Sequence, residues 1–228
     1  MKATFVLVPG AGGMALYWRR LSPLLEDANH EAIAVELPGD DENAGLPEYT
    51  DLVTRAIGDR TKVILVASSL AGFSAPLVCA RKPVRMLIFV NAMIPEPGET
   101  AGAWWGNTGA VEARTKAARL RGYSVDFDVP TYFLHDVPEA VLRDGPTEQR
   151  PEADIVFGQP CRFELWPSIP IRVVASTEDR FFPLEFQRHV ARDRLKLEPE
   201  TLPGGHLVAL SNPEGLASLL LRQASEVA

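Results

Sequence analysis

Cysteine is scarce in this chain. Only Cys79 and Cys161 occur among 228 residues, and their spacing does not pair them. That excludes a disulfide-stapled scaffold and a cysteine-rich zinc site, and it predicts two free thiols in a reducing compartment. Long apolar runs are missing too. MLIFV (86–90) is among the longest, far short of the roughly 20 residues that a membrane span needs. The opening ATFVLV imitates a secretory leader, but Pro9 interrupts it well short of the usual apolar region. Positive charge is in deficit: 23 Lys and Arg against 30 Asp and Glu give a net charge of −7. The basic residues do not form the patch that nucleic acid or an anionic membrane would need. These absences predict a cytoplasmic protein with no nucleic-acid or membrane partner.

What is present is an ordinary globular composition, 46% hydrophobic and 23% charged, in a length that suits one domain or one domain with an insertion. Short branched apolar runs recur: TFVLV (4–8), AIAVEL (32–37), KVILVA (62–67), RMLIFV (85–90), IRVVAS (171–176) and LKLEPE (195–200). The first five are mostly continuous, as in parallel strands covered on both faces. Segments with helical spacing lie between them, at 17–28, 47–58 and 213–227. Strand and helix alternate, so the class is α/β with a parallel sheet. The alternation fails once. About 80 residues between Asn91 and Pro170 carry no clear strand and are expected to form a helical cap, since a connection this long is usually functional. The expected division is a core of 1–92 and 168–228 with a cap at 93–167. Helical stretches are expected at 101–123 and 129–145.

VASSLAGFSA (66–75) joins a strand to a helix and holds two adjacent serines. A nucleophilic serine sits on such a turn, with small residues two before and two after it so that strand and helix approach closely. Centred on Ser69, those positions are Ala67 and Ala71; centred on Ser68, they are Val66 and Leu70. Ser69 is therefore the candidate. The pattern is A-x-S-x-A, not the usual G-x-S-x-G, and alone it reads equally well as a serine capping a helix.

A serine nucleophile needs a base, and the base needs an orienting acid. His30 falls in a helix-to-strand turn, His135 in the expected cap and His189 in an amphipathic segment. His206 stands in LPGGHLVAL, a glycine-rich loop after the last strand, and is the candidate base. The acid should lie between serine and histidine in the chain. STEDRFFP follows a strand and offers Asp179, with Glu178 as rival and Glu96 as a remote third. VLVPGAGGMA follows the first strand. Backbone N–H groups in such a turn can hold an oxyanion, joined by the N–H after the nucleophile. That gives Ala11, with Gly12 as alternative, and Leu70. The same turn does not complete G-x-G-x-x-G, which counts against a dinucleotide site.

In FVLVPGAGG, VASSLAGF, STEDRFFPLEFQR and GGHLVALSNPEGLASLL the chain resembles the α/β-hydrolase superfamily. More narrowly, it resembles the branch of plant methyl-ester esterases and hydroxynitrile lyases with their bacterial relatives. The resemblance implies Ser69 as nucleophile, Asp179 as acid, His206 as base, and Ala11 and Leu70 as oxyanion donors. It implies no cofactor and no metal. The full fold has two antiparallel strands before the glycine turn's strand; here six parallel strands are expected, with helices on both faces. The expected activity is hydrolysis of a small apolar carboxylic ester, thioester or lactone through an acyl-enzyme. Gly10, Gly12, Trp104, Trp105, Phe133, Phe181 and Leu207 are the expected pocket residues, with Tyr132, Phe157 and Phe182 as further apolar candidates. Lyases of that branch carry threonine at the position of Gly10 and lysine just after the histidine, where this chain has Leu207. A cyanohydrin lyase and a non-catalytic small-molecule binding module are the alternatives. The expected partner is a small ester-like molecule, and the expected state monomer or homodimer.

Overall fold

Continuous apolar runs need cover on two faces, and the sheet supplies it. The computed structural model describes residues 2–145 and 150–227. The expected cap includes residues 146–149, which lie outside them. Strands β1 (Thr4–Val8), β2 (Glu31–Ala34), β3 (Val63–Ser68), β4 (Met86–Val90), β5 (Ile171–Ser176) and β6 (Glu200–Leu202) form one sheet in the order β2-β1-β3-β4-β5-β6. Every pairing is parallel. Side chains alternate along each strand, so the sheet feeds two cores. Val6, Val8, Leu65, Ala67, Leu87 and Phe89 face one; Phe5, Leu7, Ile64, Val66, Ile88 and Val90 face the other.

Helices α1 (Ser22–Asp27), α2 (Leu46–Ile57), α3 (Ala75–Cys79), α4 (Ala101–Thr108), α5 (Ala110–Arg121), α6 (Glu139–Arg143), α7 (Ile155–Gly158), α8 (Leu184–Leu195), α9 (Val208–Ser211) and α10 (Pro213–Ser225) surround the sheet. The first core takes the apolar stripes of α2, α3 and α8, and the second takes those of α1, α9 and α10. A Leu→Ala change in either core costs about 2–5 kcal/mol, a large part of the roughly 5–15 kcal/mol that holds a domain folded.

Four expected elements differ. The sixth strand is Glu200–Leu202, not 195–200. Leu195 still belongs to α8, and Lys196 ends that helix in a left-handed conformation at φ +59°. The expected helix at 17–28 divides into a 3-10 turn, Ala15–Trp18, and α1. The stretch 101–123 divides into α4 and α5, because Gly109 takes φ +68° and closes the first helix. β2 is also shorter than its apolar run and ends at Ala34.

Between β4 and β5 the chain leaves the sheet and forms α4 to α7. Its base is anchored by a buried ion pair. Glu99 accepts hydrogen bonds from Arg194 of α8, the Nη2 bond at 2.9 Å, and from Asn107 Nδ2 at 2.8 Å. Both charged side chains are 4% exposed. Removing one partner of such a pair costs about 3–5 kcal/mol.

The strand order also places the crevice. From β1 the chain moves to β2 on one side; from β3 it moves to β4 on the other. The carboxyl ends of β1 and β3 therefore flank the point where the winding reverses, and a cleft opens there. The glycine turn and the serine turn leave the sheet at those two ends.

Candidate active site

Ser69 follows directly on the last residue of β3 and has φ +49°. That is left-handed backbone for a residue with a Cβ, and it costs roughly 1–2 kcal/mol. Contacts on both sides hold the turn there. The Ser69 carbonyl accepts the Met93 N–H at 3.0 Å. A Cβ on Gly72 would collide with the Met93 carbonyl, and one on Gly10 would lie 2.7 Å from Ser69 Cβ. The close approach that G-x-S-x-G assigns to its two glycines is met here by Gly72 and Gly10, while Ala67 and Ala71 stay buried.

His206 Nε2 lies 3.1 Å from Ser69 Oγ, and Nδ1 lies 2.8 Å from Asp179 Oδ2. Phe133 stacks on the imidazole at 5.0 Å between centroids; Phe181 and Phe182 meet it edge-on at 5.1 and 5.2 Å. Asp179 is 1% exposed. Its Oδ1 accepts the N–H groups of Phe181 and Phe182, each at 2.8 Å, and Oδ2 accepts Gln187 Nε2 at 3.3 Å. The acid is thus fixed by three donors besides the histidine, and the histidine by the acid.

The rivals point elsewhere. Glu178 is exposed and accepts the Gly204 N–H and, at 2.9 Å, the Thr177 hydroxyl. Glu96 and His189 are exposed. His30 Nδ1 accepts the Ala3 N–H at 3.2 Å. His135 has no hydrogen-bond partner among the described residues, and burial pulls its pKa down. Burial pushes both cysteine thiols up to about 12, so neither is a ready thiolate nucleophile.

Ala11 and Leu70 have N–H groups with no acceptor among the described residues. Gly12 does not. Its N–H donates to Glu152 Oε2 at 2.6 Å, and Tyr49 donates its hydroxyl to Oε1 at 2.6 Å. Burial pushes the Glu152 carboxyl up, against the pull of those two bonds. Glu152 thereby pins the glycine turn and occupies the Gly12 N–H.

Sequence reasoning missed Glu152 and Asn91. Asn91 is fully buried at the end of β4, at φ +45°. Its Nδ2 donates to Ser176 Oγ at 2.9 Å and to the carbonyls of Gly205 and His206 at 3.1 Å each. Its Oδ1 accepts the Ser176 N–H at 2.8 Å. One side chain ties the end of β5 to the histidine loop. The available signal was a lone amide directly after five apolar residues, at the sheet edge that carries the site. Glu152 gave no signal of its own, since it lies 140 residues from the glycine it holds.

A cavity of about 290 Å³ opens beside Ser69 and His206. Gly10, Ala11, Phe133 and Leu207 reach its wall, together with Leu16 and Tyr17 of the 3-10 turn. Trp104, Trp105, Phe181 and Gly12 do not, against expectation. Trp104 is fully buried and donates Nε1 to the Ile94 carbonyl at 3.1 Å. Its ring packs edge-on against Phe182 and Phe186, and Trp105 packs against Phe181. These aromatics brace the acid loop from behind. Tyr132, Phe157 and Phe182 are likewise off the wall. Arg19 reaches it, but its guanidinium donates to the carbonyls of Val141 at 2.6 Å and Leu16 at 3.4 Å. Among the described residues, no three His, Cys, Asp or Glu side chains gather as a metal site, and no helix is long and apolar enough to cross a membrane.

Known proteins share this arrangement of strands. Over 95% of its length the chain is 25% identical to polyneuridine aldehyde esterase of Rauvolfia serpentina, covering 94% of that protein. Over 94% of its length it is 26% identical to alpha-hydroxynitrile lyase of Arabidopsis thaliana, again covering 94%. The solved pyrethroid hydrolase of Sphingobium faniae superposes with a TM-score of 0.78 at 21% identity, over 99% of this chain and 98% of that one. These relatives carry names for different reactions, so likeness alone gives the fold and leaves the reaction to the site. Residues 5–219 match the alpha/beta hydrolase family, and the chain belongs to it.

Proposed function

We propose that the protein is a carboxylic ester hydrolase that works through an acyl-enzyme on Ser69. One observation carries this reading: Ser69, His206 and Asp179 stand in line at 3.1 and 2.8 Å. Ser69 Oγ attacks the ester carbonyl carbon and gives its proton to His206 Nε2. Asp179 steadies the imidazolium through Nδ1. The carbonyl oxygen becomes an oxyanion before the N–H groups of Ala11 and Leu70. As the intermediate collapses, the C–O bond to the alcohol breaks, and the alkoxide leaves with the proton from Nε2. Water then gives a proton to Nε2 and attacks the acyl carbon. The acid departs, and Ser69 recovers its proton. The cavity, at the small end of the roughly 300–1,000 Å³ of ligand pockets, supports a small acyl group. The helical excursion between β4 and β5, which supplies Phe133 to its wall, acts as the cap.

The test is a fluorophosphonate followed by intact mass and peptide mapping. One adduct on the Ser69 peptide is expected, with none on Ser69→Ala, and Ser69→Ala should lower kcat on a p-nitrophenyl ester by about 10⁴–10⁶-fold. An adduct elsewhere, or none even with a small organophosphate, overturns the reading. The lyase relative prompts a second reading, cyanohydrin cleavage. Leu207 on the cavity wall offers no cation to hold cyanide, so cyanide release from acetone cyanohydrin should stay at background.

A further inference from the structure

Tyr17 and Ser68 line the cavity beside Ser69. Alternation along β3 turns the Ser68 side chain to the same sheet face as Ile64 and Val66, the face covered by Tyr17 and Trp18. No hydrogen bond joins the two hydroxyls, although both residues reach the same cavity. The Ala209 N–H approaches the phenol oxygen at 3.5 Å. Two hydroxyls bring two protons. Neither finds an acceptor among the described residues, and Leu16, Leu207 and Leu210 share the cavity wall with them. Burial also pushes the Tyr17 phenol up to about 12, so it keeps its proton at neutral pH. Two hydroxyls with protons to spare, beside a largely apolar wall, are matched by a ligand oxygen.

We infer that the Tyr17–Ser68 pair binds an oxygen on the acyl chain, and that the preferred substrates are esters of 2- or 3-oxygenated acids. Ser68 directly precedes Ser69 and both line one cavity with Tyr17, so the hydroxyl corner borders the carbonyl that Ser69 attacks. A site built to hydrogen-bond a substrate oxygen rejects the analogue that lacks it, because its own polar groups are then left unpaired. The position of the bound oxygen rests on the ester reading above; the existence of the polar corner does not.

The test uses Ser69→Ala, which binds without turnover, and two probes, p-nitrophenyl 3-hydroxybutyrate and p-nitrophenyl butyrate. The hydroxylated probe is expected to bind at least tenfold more tightly. Adding Tyr17→Phe should bring the two affinities to within about twofold. That change removes one oxygen and keeps the ring against Trp18, 4.4 Å away between centroids. Equal affinities in Ser69→Ala, or a preference that survives both Tyr17→Phe and Ser68→Ala, overturn the inference. If the preference holds but the wild-type protein cleaves neither probe, the subsite stands and the ester reading falls.

Discussion

The two sides of Ser69 are built on opposite plans. On the side of β4, β5 and β6, polar groups are matched inside the protein. Asn91 holds Ser176 and the histidine loop, Asp179 accepts three N–H groups besides His206, and three phenylalanines enclose the imidazole. On the side of β1, polar groups line a cavity and donate to no acceptor among the described residues: the Ala11 N–H and the Tyr17 and Ser68 hydroxyls. The first side is satisfied within the protein; on the reading proposed above, a ligand completes the second. Positioning and recognition are thus kept on separate strands, and substitutions on the two sides should fail differently.

The sharpest break on the ordered side is Asp179→Asn. The amide keeps the shape and loses the acceptor that fixes the histidine's tautomer. Steady-state kinetics should show kcat lower by about 10³–10⁴-fold with KM little changed. Asn91 comes next, with an expected loss of about 10–100-fold in kcat, since a displacement of 1 Å in a catalytic group costs that order. Asn91→Gly suits the positive φ and removes only the side chain. Asn91→Ala adds backbone strain of roughly 1–2 kcal/mol. If the two variants lose equal activity and differ in melting temperature, positioning is separated from strain.

Glu152→Gln tests the open side and should have the smallest effect, a few-fold in kcat. The glutamine can still accept the Gly12 N–H, and Tyr49 can turn its hydroxyl to accept from the amide. The variant also carries a pH signature. The folded pKa of Glu152 is raised by burial, so its contribution to stability is full below the unfolded carboxylate pKa and is lost as pH rises through the folded value. The melting temperature of Glu152→Gln minus that of the wild type should therefore increase from pH 4 to pH 7. A flat or falling difference contradicts that sign.

The same division governs what the sequence could tell. Five strands were legible because continuous apolar runs report burial on two faces, a local property. Ser69, Asp179 and His206 were nameable because each follows a strand in the order that one sheet edge requires. The sixth strand was misplaced because LKLEPE alternates whether it ends a helix or starts a strand. The cavity wall was the poorest reading. Trp104, Trp105 and Phe181 are large and apolar, which predicts burial but not which surface they bury. Phe133 and Phe181 pack on each other and on the same imidazole, yet only Phe133 reaches the cavity. No local pattern distinguishes them, since the difference arises from how the excursion folds back over the sheet.

The left-handed backbone at Ser69 limits which residues can ever occupy that place. Asparagine, aspartate and glycine tolerate such a φ; branched and bulky residues do not. A glycine there would relieve the strain and remove the hydroxyl. An aspartate would keep the turn and present a carboxylate in place of an alcohol, which under the proposed mechanism would change the covalent intermediate while the backbone stays as it is. The turn thus acts as a filter on descent: it leaves few substitutions open, and one of those few leads directly to a different chemistry.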